Sequence, residues 1–270
     1  MQEFLYYLSL DQTHWGLSIV LILLITPLER VFPRVKLKAN SPSIAAILVI
    51  AICSYASVWL FKQSMYLHTI SAFLNLQFFS LSKSSLPLLT IYIISFLFID
   101  LLVYTFHFLS HKITFLWKIH SVHHADEHVN TKTAVLHHPF ELLASMIFVL
   151  FFAVILGIPI ISLILFAGVA TLHNFFAHAN VALPSKLDRI LRCLIVTPDM
   201  HRTHHSIDMS EGNTNFGQIF TIWDRLFKTY TDHPTTGEAK LIMGLPKSER
   251  PISFKAIDLL LHPIAKLFKK

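Results

Sequence analysis

Seventeen of the 270 residues are histidines, one more than all the aspartates and glutamates together. Eight of them form three groups with helical spacing. His107 and His111 are four apart. His120, His123 and His124 form an HxxHH triad, and His201, His204 and His205 repeat it. Residues three and four apart share one face of a helix, so each group points its imidazoles in one direction. Neutral imidazole is a ligand for iron, zinc, copper and nickel. A lone histidine is usually structural, but a repeated triad predicts a metal site, and eight ligands exceed what one tetrahedral or octahedral ion needs. Two metals are the natural reading. No glutamate stands beside a histidine as in HExxH, which argues against a zinc protease.

The elements that must position these groups belong to a membrane protein. The chain is 54% hydrophobic and 14% charged, with a mean hydropathy of +0.58, whereas soluble domains carry about 25% charged residues. Apolar runs at roughly 13–33, 43–61, 86–108, 140–157 and 160–178 predict an all-α membrane bundle of four to five spans. The last two are joined by the tight turn "GIPI" into a hairpin. The stretch 64–82 reads as a helix on the membrane surface, and 252–270 as an interfacial amphipathic helix broken at Pro263 or an ordinary packed terminal helix. From Pro87 to His111 a helix would run ~37 Å, longer than a ~30 Å hydrocarbon core. Its last turns, with His107 and His111, should project beyond the bilayer. Thr197 and Pro198 fit the N-cap and first position of a helix carrying the second triad. With five spans, twenty of the 22 Lys and Arg fall on one side, the side of all the histidine groups. That bias predicts an outside N-terminus and a cytoplasmic histidine-rich helical cap.

Two cysteines, Cys53 and Cys193, form no CxxC, and no GxGxxG is present. Neither a disulfide framework nor a nicotinamide or flavin fingerprint is expected. No cleaved signal pattern and no repeat is found, so 1–270 reads as a single membrane domain. No nucleic-acid partner is expected.

The motifs "PLERVFP", "LWKIHSVHHAD", "HPFE", "HANVALP", "VTPDMHRTHHS" and "NFGQIFTIWDRLFKTY" accompany the histidine boxes. Together they resemble the membrane fatty acid hydroxylase/sterol desaturase superfamily, its bacterial members in particular. The resemblance runs from about Leu28 to Tyr230, with a hydroxylase-like core at about 90–232, leading spans in 1–85 and the possible interfacial helix at 252–270. It implies a di-iron centre, with zinc possible in purified protein, that uses O2 to hydroxylate or desaturate a lipid C–H bond. It implies as ligands His107, His111, His120, His123, His124, His201, His204 and His205, and adds His178 of "HANV". His173 reads as an ordinary helix residue, His138 as packing or support for a ligand, and His128 as an extension of its triad's face. His137 has no such support. Where relatives often carry arginine, this chain has Phe108, Ser121, and Leu136 or His137, so any contact those arginines make is in doubt here. Asp100, seven residues before His107, is on the same helix face. An acid within a span is a functional hypothesis by default, and Asp100 is expected to orient a ligand imidazole through its far N–H. Glu141 and Asp199 could do the same. Asp224 is expected to fix a local turn or ion pair.

With no flavin, nicotinamide or ferredoxin-like motif, electrons must come from an external reductase or small carrier. The setting would be a bacterial inner membrane, or the endoplasmic reticulum in a eukaryote. The rival reading is a non-enzymatic multi-histidine membrane metal-binding or transport protein. Substrate, and hydroxylation versus desaturation, stay open.

Overall fold

The computed structural model describes residues 2–36, 41–68 and 80–268; the middle of the expected surface segment at 64–82 lies outside the described residues. The architecture is helical, with isolated bridges and no strand among the described residues. Five long helices, α1 (Gln2–Val31), α2 (Ile44–His68), α3 (Leu88–Lys112), α5 (Pro139–Ile155) and α6 (Ile160–His178), carry a cap of short ones: α4 (Thr114–His120), α7 (Ser185–Leu191), α8 (Pro198–His204), α9 (Met209–Gly212) and α10 (Ile222–Leu226). The C-terminal α11 (Ala256–Phe268) packs on α2 and α4.

Three helices are long and apolar enough to cross a membrane within the described residues: Ile44–Ser64, Leu88–Lys112 and Ile160–His178. The fourth expected span is α5, 17 residues and shorter than a full crossing. Ile44, Leu48, Ile52 and Trp59 of α2 and Leu88, Leu89 and Ile93 of α3 are each more than half exposed. An apolar surface of that extent is stable only against lipid or another apolar surface. α5 and α6 are joined by a Schellman turn, in which Gly157 takes φ +57° while the Gly157 and Ile158 amides reach back to the Val154 and Ala153 carbonyls. α2 packs on α5, α1 on α6, and α3 on both α5 and α6.

Two apolar clusters support the histidines. Ile47 and Ile50 of α2, Val122, Ala125, Leu136, Leu245 and Leu259 form one, around the segment that bears the first triad. Ile99, Ala153, Ile158, Phe166 and Ile219 form the other, in the bundle. α11 runs through Pro263 without breaking. A proline mid-helix removes one backbone bond, but Leu259, His262 and Pro263 are buried, and that packing holds the helix together. Its outer stripe, Ile257, Leu261 and Ile264, is exposed.

Polar ties close the chain over long separations. Glu29 at the end of α1 accepts the amides of Thr131 and Asn180 at 2.7 and 2.8 Å. Arg34 reaches Asp199 at 2.9 Å and Glu238 at 3.0 Å, 165 and 204 residues away. The aspartate expected to support a ligand is thus the partner of an arginine.

Candidate metal centre

The cap gathers nine histidines into two groups. His107, His111, His120, His124 and His204 form the first, and His123, His178, His201 and His205 the second. Within each group one ring nitrogen per residue lies within 4.8 Å of all the others. Each HxxHH triad is divided. The i, i+4 pair His120/His124 joins the first group while His123 turns to the second, and the pair His201/His205 joins the second while His204 turns to the first. At the first triad the backbone leaves the helix: α4 ends at His120, and His123–Ala125 is a 3₁₀ turn. The second triad sits on one helix as expected, with His201 and His204 in α8 and His205 at its C-cap, its amide bonded to the His201 carbonyl. One helix for the first triad, as expected from spacing, is therefore corrected to a helix end followed by a tighter turn. Thr197 does occupy the N-cap position of α8, but its hydroxyl makes no capping bond.

The rings are held from behind. Nδ1–H of His107 donates to the Phe216 carbonyl at 2.9 Å, that of His204 to Thr214 at 2.8 Å, that of His178 to Asn174 at 2.8 Å and that of His123 to Leu136 at 3.2 Å. His120 donates to Glu141 Oε1 at 2.7 Å, and His111 faces Asn213 Oδ1 at 3.3 Å. Carbonyl and carboxylate oxygens only accept, so the proton of these rings sits on Nδ1 and the Nε2 lone pair is free. Nε2 of His107, His111 and His204 is buried with no hydrogen-bond partner. Other Nε2 atoms meet each other: His124 and His120 at 3.2 Å, His178 and His123 at 3.1 Å, His201 and His178 at 2.9 Å, His205 and His201 at 3.2 Å. Between His123 and His178, whose protons both sit on Nδ1, two lone pairs face each other and repel unless a cation lies between them. With metal–nitrogen bonds of ~2.1 Å, ligands at right angles stand ~3.0 Å apart and tetrahedral ligands ~3.4 Å. Nitrogens 2.9–3.2 Å apart are close enough to share one cation, and the donor set fits two metal ions.

Electrostatics agree. In the cap, burial followed by the proximity of other imidazoles holds His123, His124, His201 and His205 well below the ordinary histidine pKa. Burial lowers His204 to about 3. All five are neutral at pH 7, as ligation requires.

The first group owes its orientation to one loop, 213–220, which supplies three of its acceptors. Two buried aspartates hold that loop. Asp224 accepts the amides of Phe216 and Gly217 at 2.8 Å and the Thr229 hydroxyl at 2.7 Å. Asp100 accepts the amides of Ile219 and Phe220 at 3.2 Å and Trp223 Nε1 at 2.8 Å. The expectation that Asp100 bonds a ligand imidazole is therefore replaced by a different role. Two helical turns separate it from His107, about 10 Å, beyond a carboxylate's reach. The acid that does hold a ligand ring is Glu141, which also accepts Nδ1–H of His137 at 2.9 Å.

His137, without support in the sequence, stacks on His123 at 4.2 Å and lines the cavity beside the groups. A contact between rings fourteen residues apart leaves no mark in local spacing. His128 and His173 stand outside both groups. His138 caps α5, accepting the Phe140 amide on Nδ1, and donates from Nε2 to the Leu260 carbonyl of α11 at 3.1 Å.

The pattern of the family described as "Fatty acid hydroxylase" matches residues 92–229. The chain is 28% identical over 170 residues to alkylglycerol monooxygenase of Danio rerio, covering 63% of this chain and 36% of that protein. It is 30% identical over 133 residues to ornithine lipid hydroxylase OlsE of Rhizobium tropici, covering 49% and 39%. It is 29% identical over 136 residues to the human alkylglycerol monooxygenase, covering 50% and 29%. The matched stretches thus span about a third of these relatives' length. No solved structure gives a significant match.

Proposed function

The chain belongs to the fatty acid hydroxylase family, and from that premise we propose that it is a di-iron, O2-dependent membrane monooxygenase that hydroxylates a C–H bond of a lipid. The observation that carries this reading is the convergence of nine imidazoles into groups of five and four at one end of a membrane bundle. The names of its relatives, a monooxygenase of alkylglycerols and a hydroxylase of ornithine lipids, favour hydroxylation over desaturation.

His107, His111, His120, His124 and His204 would hold one iron, and His123, His178, His201 and His205 the other. Bound there, the irons would supply the reductive activation of O2 that an unactivated C–H bond requires. The protein's part is positional. The carbonyls of residues 136, 174, 214 and 216 and the Glu141 carboxylate fix the tautomer and direction of the rings. A cavity of about 370 Å³, lined by histidines together with Val103, Ala167 and Ala170, would seat the lipid.

Hydroxylation converts R–H, O2, two electrons and two protons into R–OH and water, so an external reductase or small electron carrier completes the reaction. The Lys and Arg bias supports a histidine cap on the cytoplasmic face, of the inner membrane in a bacterial setting. On this reading residues 1–270 form one membrane domain, with the catalytic core at about 90–232.

The test is elemental analysis of detergent-purified protein beside His123→Ala, followed by O2-dependent turnover of lipid with an added reductase fraction. About two irons per chain, reduced in the variant, and an oxygenated lipid support the reading. Folded protein without metal refutes it, and two zincs with no oxidation would return the non-enzymatic alternative. Undiminished turnover without any added reductant source would remove the external electron donor from the scheme.

A further inference from the structure

Three helix stripes wall the cavity. On α6 the lining positions run from Ala167 to His178, eleven residues or about 16 Å of helix. A volume of about 370 Å³ lies near the lower end of the ~300–1,000 Å³ usual for small-molecule sites. It takes a segment of a lipid and leaves the rest in the bilayer.

The position of the histidines along the spans decides which segment. From Leu88, α3 climbs nineteen residues to His107, about 28 Å, so the rings stand at the far edge of a ~30 Å hydrocarbon core. That is the depth of lipid head groups. The cavity wall mixes apolar and polar groups: Val103 of α3 stands one turn from His107, Asn174 of α6 one turn from His178 and Ser145 of α5 one turn from Glu141, while Ala167, Ala170 and Thr171 continue along α6. Glu141 is 8% exposed. Its Oε1 already holds the His120 and His137 N–H groups, while its Oε2 is buried with no partner. A carboxylate oxygen left unpaired beside methylene groups is costly. A donor from the ligand would satisfy it, whereas a second anion brought into this dry space would be repelled.

Resting on the reading of this site as a lipid hydroxylase, we propose that the substrate carries a hydrogen-bond donor in its head (hydroxyl, amide N–H or ammonium), recognised at Glu141, and that the C–H bond oxidised lies in or beside that head. Free fatty acids, whose carboxylate would meet Glu141, are excluded by the same chemistry.

The experiment compares hexadecan-1-ol, hexadecyl methyl ether and hexadecanoate as ligands of the full-length, metal-loaded protein in detergent, by calorimetric titration. Iron-loaded protein with reductant and O2 then maps where oxygen enters. The alcohol should bind at least about tenfold more tightly than the ether, a difference of about 1.4 kcal/mol, and hexadecanoate most weakly. Oxygen should enter at carbons adjoining the polar end. In Glu141→Gln the two imidazoles keep the amide oxygen, so the amide nitrogen replaces Oε2, and the ratio of alcohol to ether should collapse towards one. Because that variant also disturbs His120, Ser145→Ala gives a second reading, in which the ratio narrows while metal content is kept. Equal affinity for alcohol and ether in the unsubstituted protein, preference for hexadecanoate, or oxygen found in mid-chain overturns the proposal. A preserved alcohol preference with no oxidised product from any probe overturns the hydroxylase reading and leaves the recognition at Glu141 standing.

Discussion

Replacing Asp224 by asparagine should remove one metal and spare the other. Asp224 is fully buried, and burial pushes its pKa up to about 6 against the lowering effect of its three donors. At pH 7 it is an ionised acceptor. The rise from 3.8 to about 6 corresponds to roughly 3 kcal/mol of ionisation cost in the folded protein at neutral pH. Asparagine has no charge to bury, so that cost disappears. Against it stands the loss of a charge-assisted bond, about 1.5–3 kcal/mol, and an N–H forced against the N–H of Phe216 or Gly217, about 1–3 kcal/mol more. The balance runs from about −0.5 to 3 kcal/mol of net destabilisation, small against the roughly 5–15 kcal/mol that holds a domain folded. The local effect is larger in kind. The loop that Asp224 holds carries the Thr214 and Phe216 carbonyls and the Asn213 amide, the acceptors behind three of the five rings in the first group. Losing such a partner costs about 10–100-fold in metal affinity. The second group is supported by the Leu136 and Asn174 carbonyls of other segments. Elemental analysis after dialysis against a weak chelator should therefore show about one metal per chain in Asp224→Asn where the unsubstituted protein retains about two, with melting temperatures close together. Parallel loss of both metals from folded protein, or retention of both at unchanged affinity, would refute the role given to the loop.

Gly217→Ala should produce the same selective loss by steric means, because a Cβ there would lie 2.7 Å from the Phe220 carbonyl and 2.9 Å from Asp224 Oδ2; about 1–3 kcal/mol of destabilisation is expected by thermal denaturation. Metal-stripped protein should be acid-labile. The five cap imidazoles have folded pKa values below the unfolded 6.5, so the unfolded chain takes up the extra protons, and stability is full above pH 6.5 and falls as pH drops below it. The loss from five such imidazoles acts against the single opposing gain from the raised Asp224; tryptophan fluorescence should report unfolding as pH falls below 6.5, and a transition only below pH 3 would count against it. Cys193, exposed on the cap, should react with a membrane-impermeant maleimide in inverted vesicles and not in intact cells, the reverse result overturning the assigned orientation.

The converging histidines were legible because ligation needs particular side chains, and the two triads announce themselves by spacing. What spacing could not show is how the triads divide. At the first triad that depends on α4 stopping at His120, where the chain tightens into a 3₁₀ turn; at the second it depends on where α8 stands against its neighbours. The supporting acceptors were mostly hidden for a chemical reason: residues 136, 174, 214 and 216 act through backbone carbonyls, which every residue possesses. Asp100 misled because a shared helix face does not imply reach. It lies two turns from His107 and serves a loop more than a hundred residues away. Glu141 was visible as one of several acids, while its selection over Asp199 follows from Arg34 having taken the latter.

The long ties from Arg34 bear on how the protein comes into being. An ion pair that closes 204 residues cannot form until residue 238 has left the ribosome, by which time the long helices have been made. The second triad, at 201–205, likewise arrives late, and both histidine groups draw on it. During synthesis the earlier histidines therefore wait at the membrane edge as an incomplete set. Metal insertion belongs to the end of biogenesis, after the cap has folded back onto residues near the start of the chain, and an arrested nascent chain should carry no intact centre.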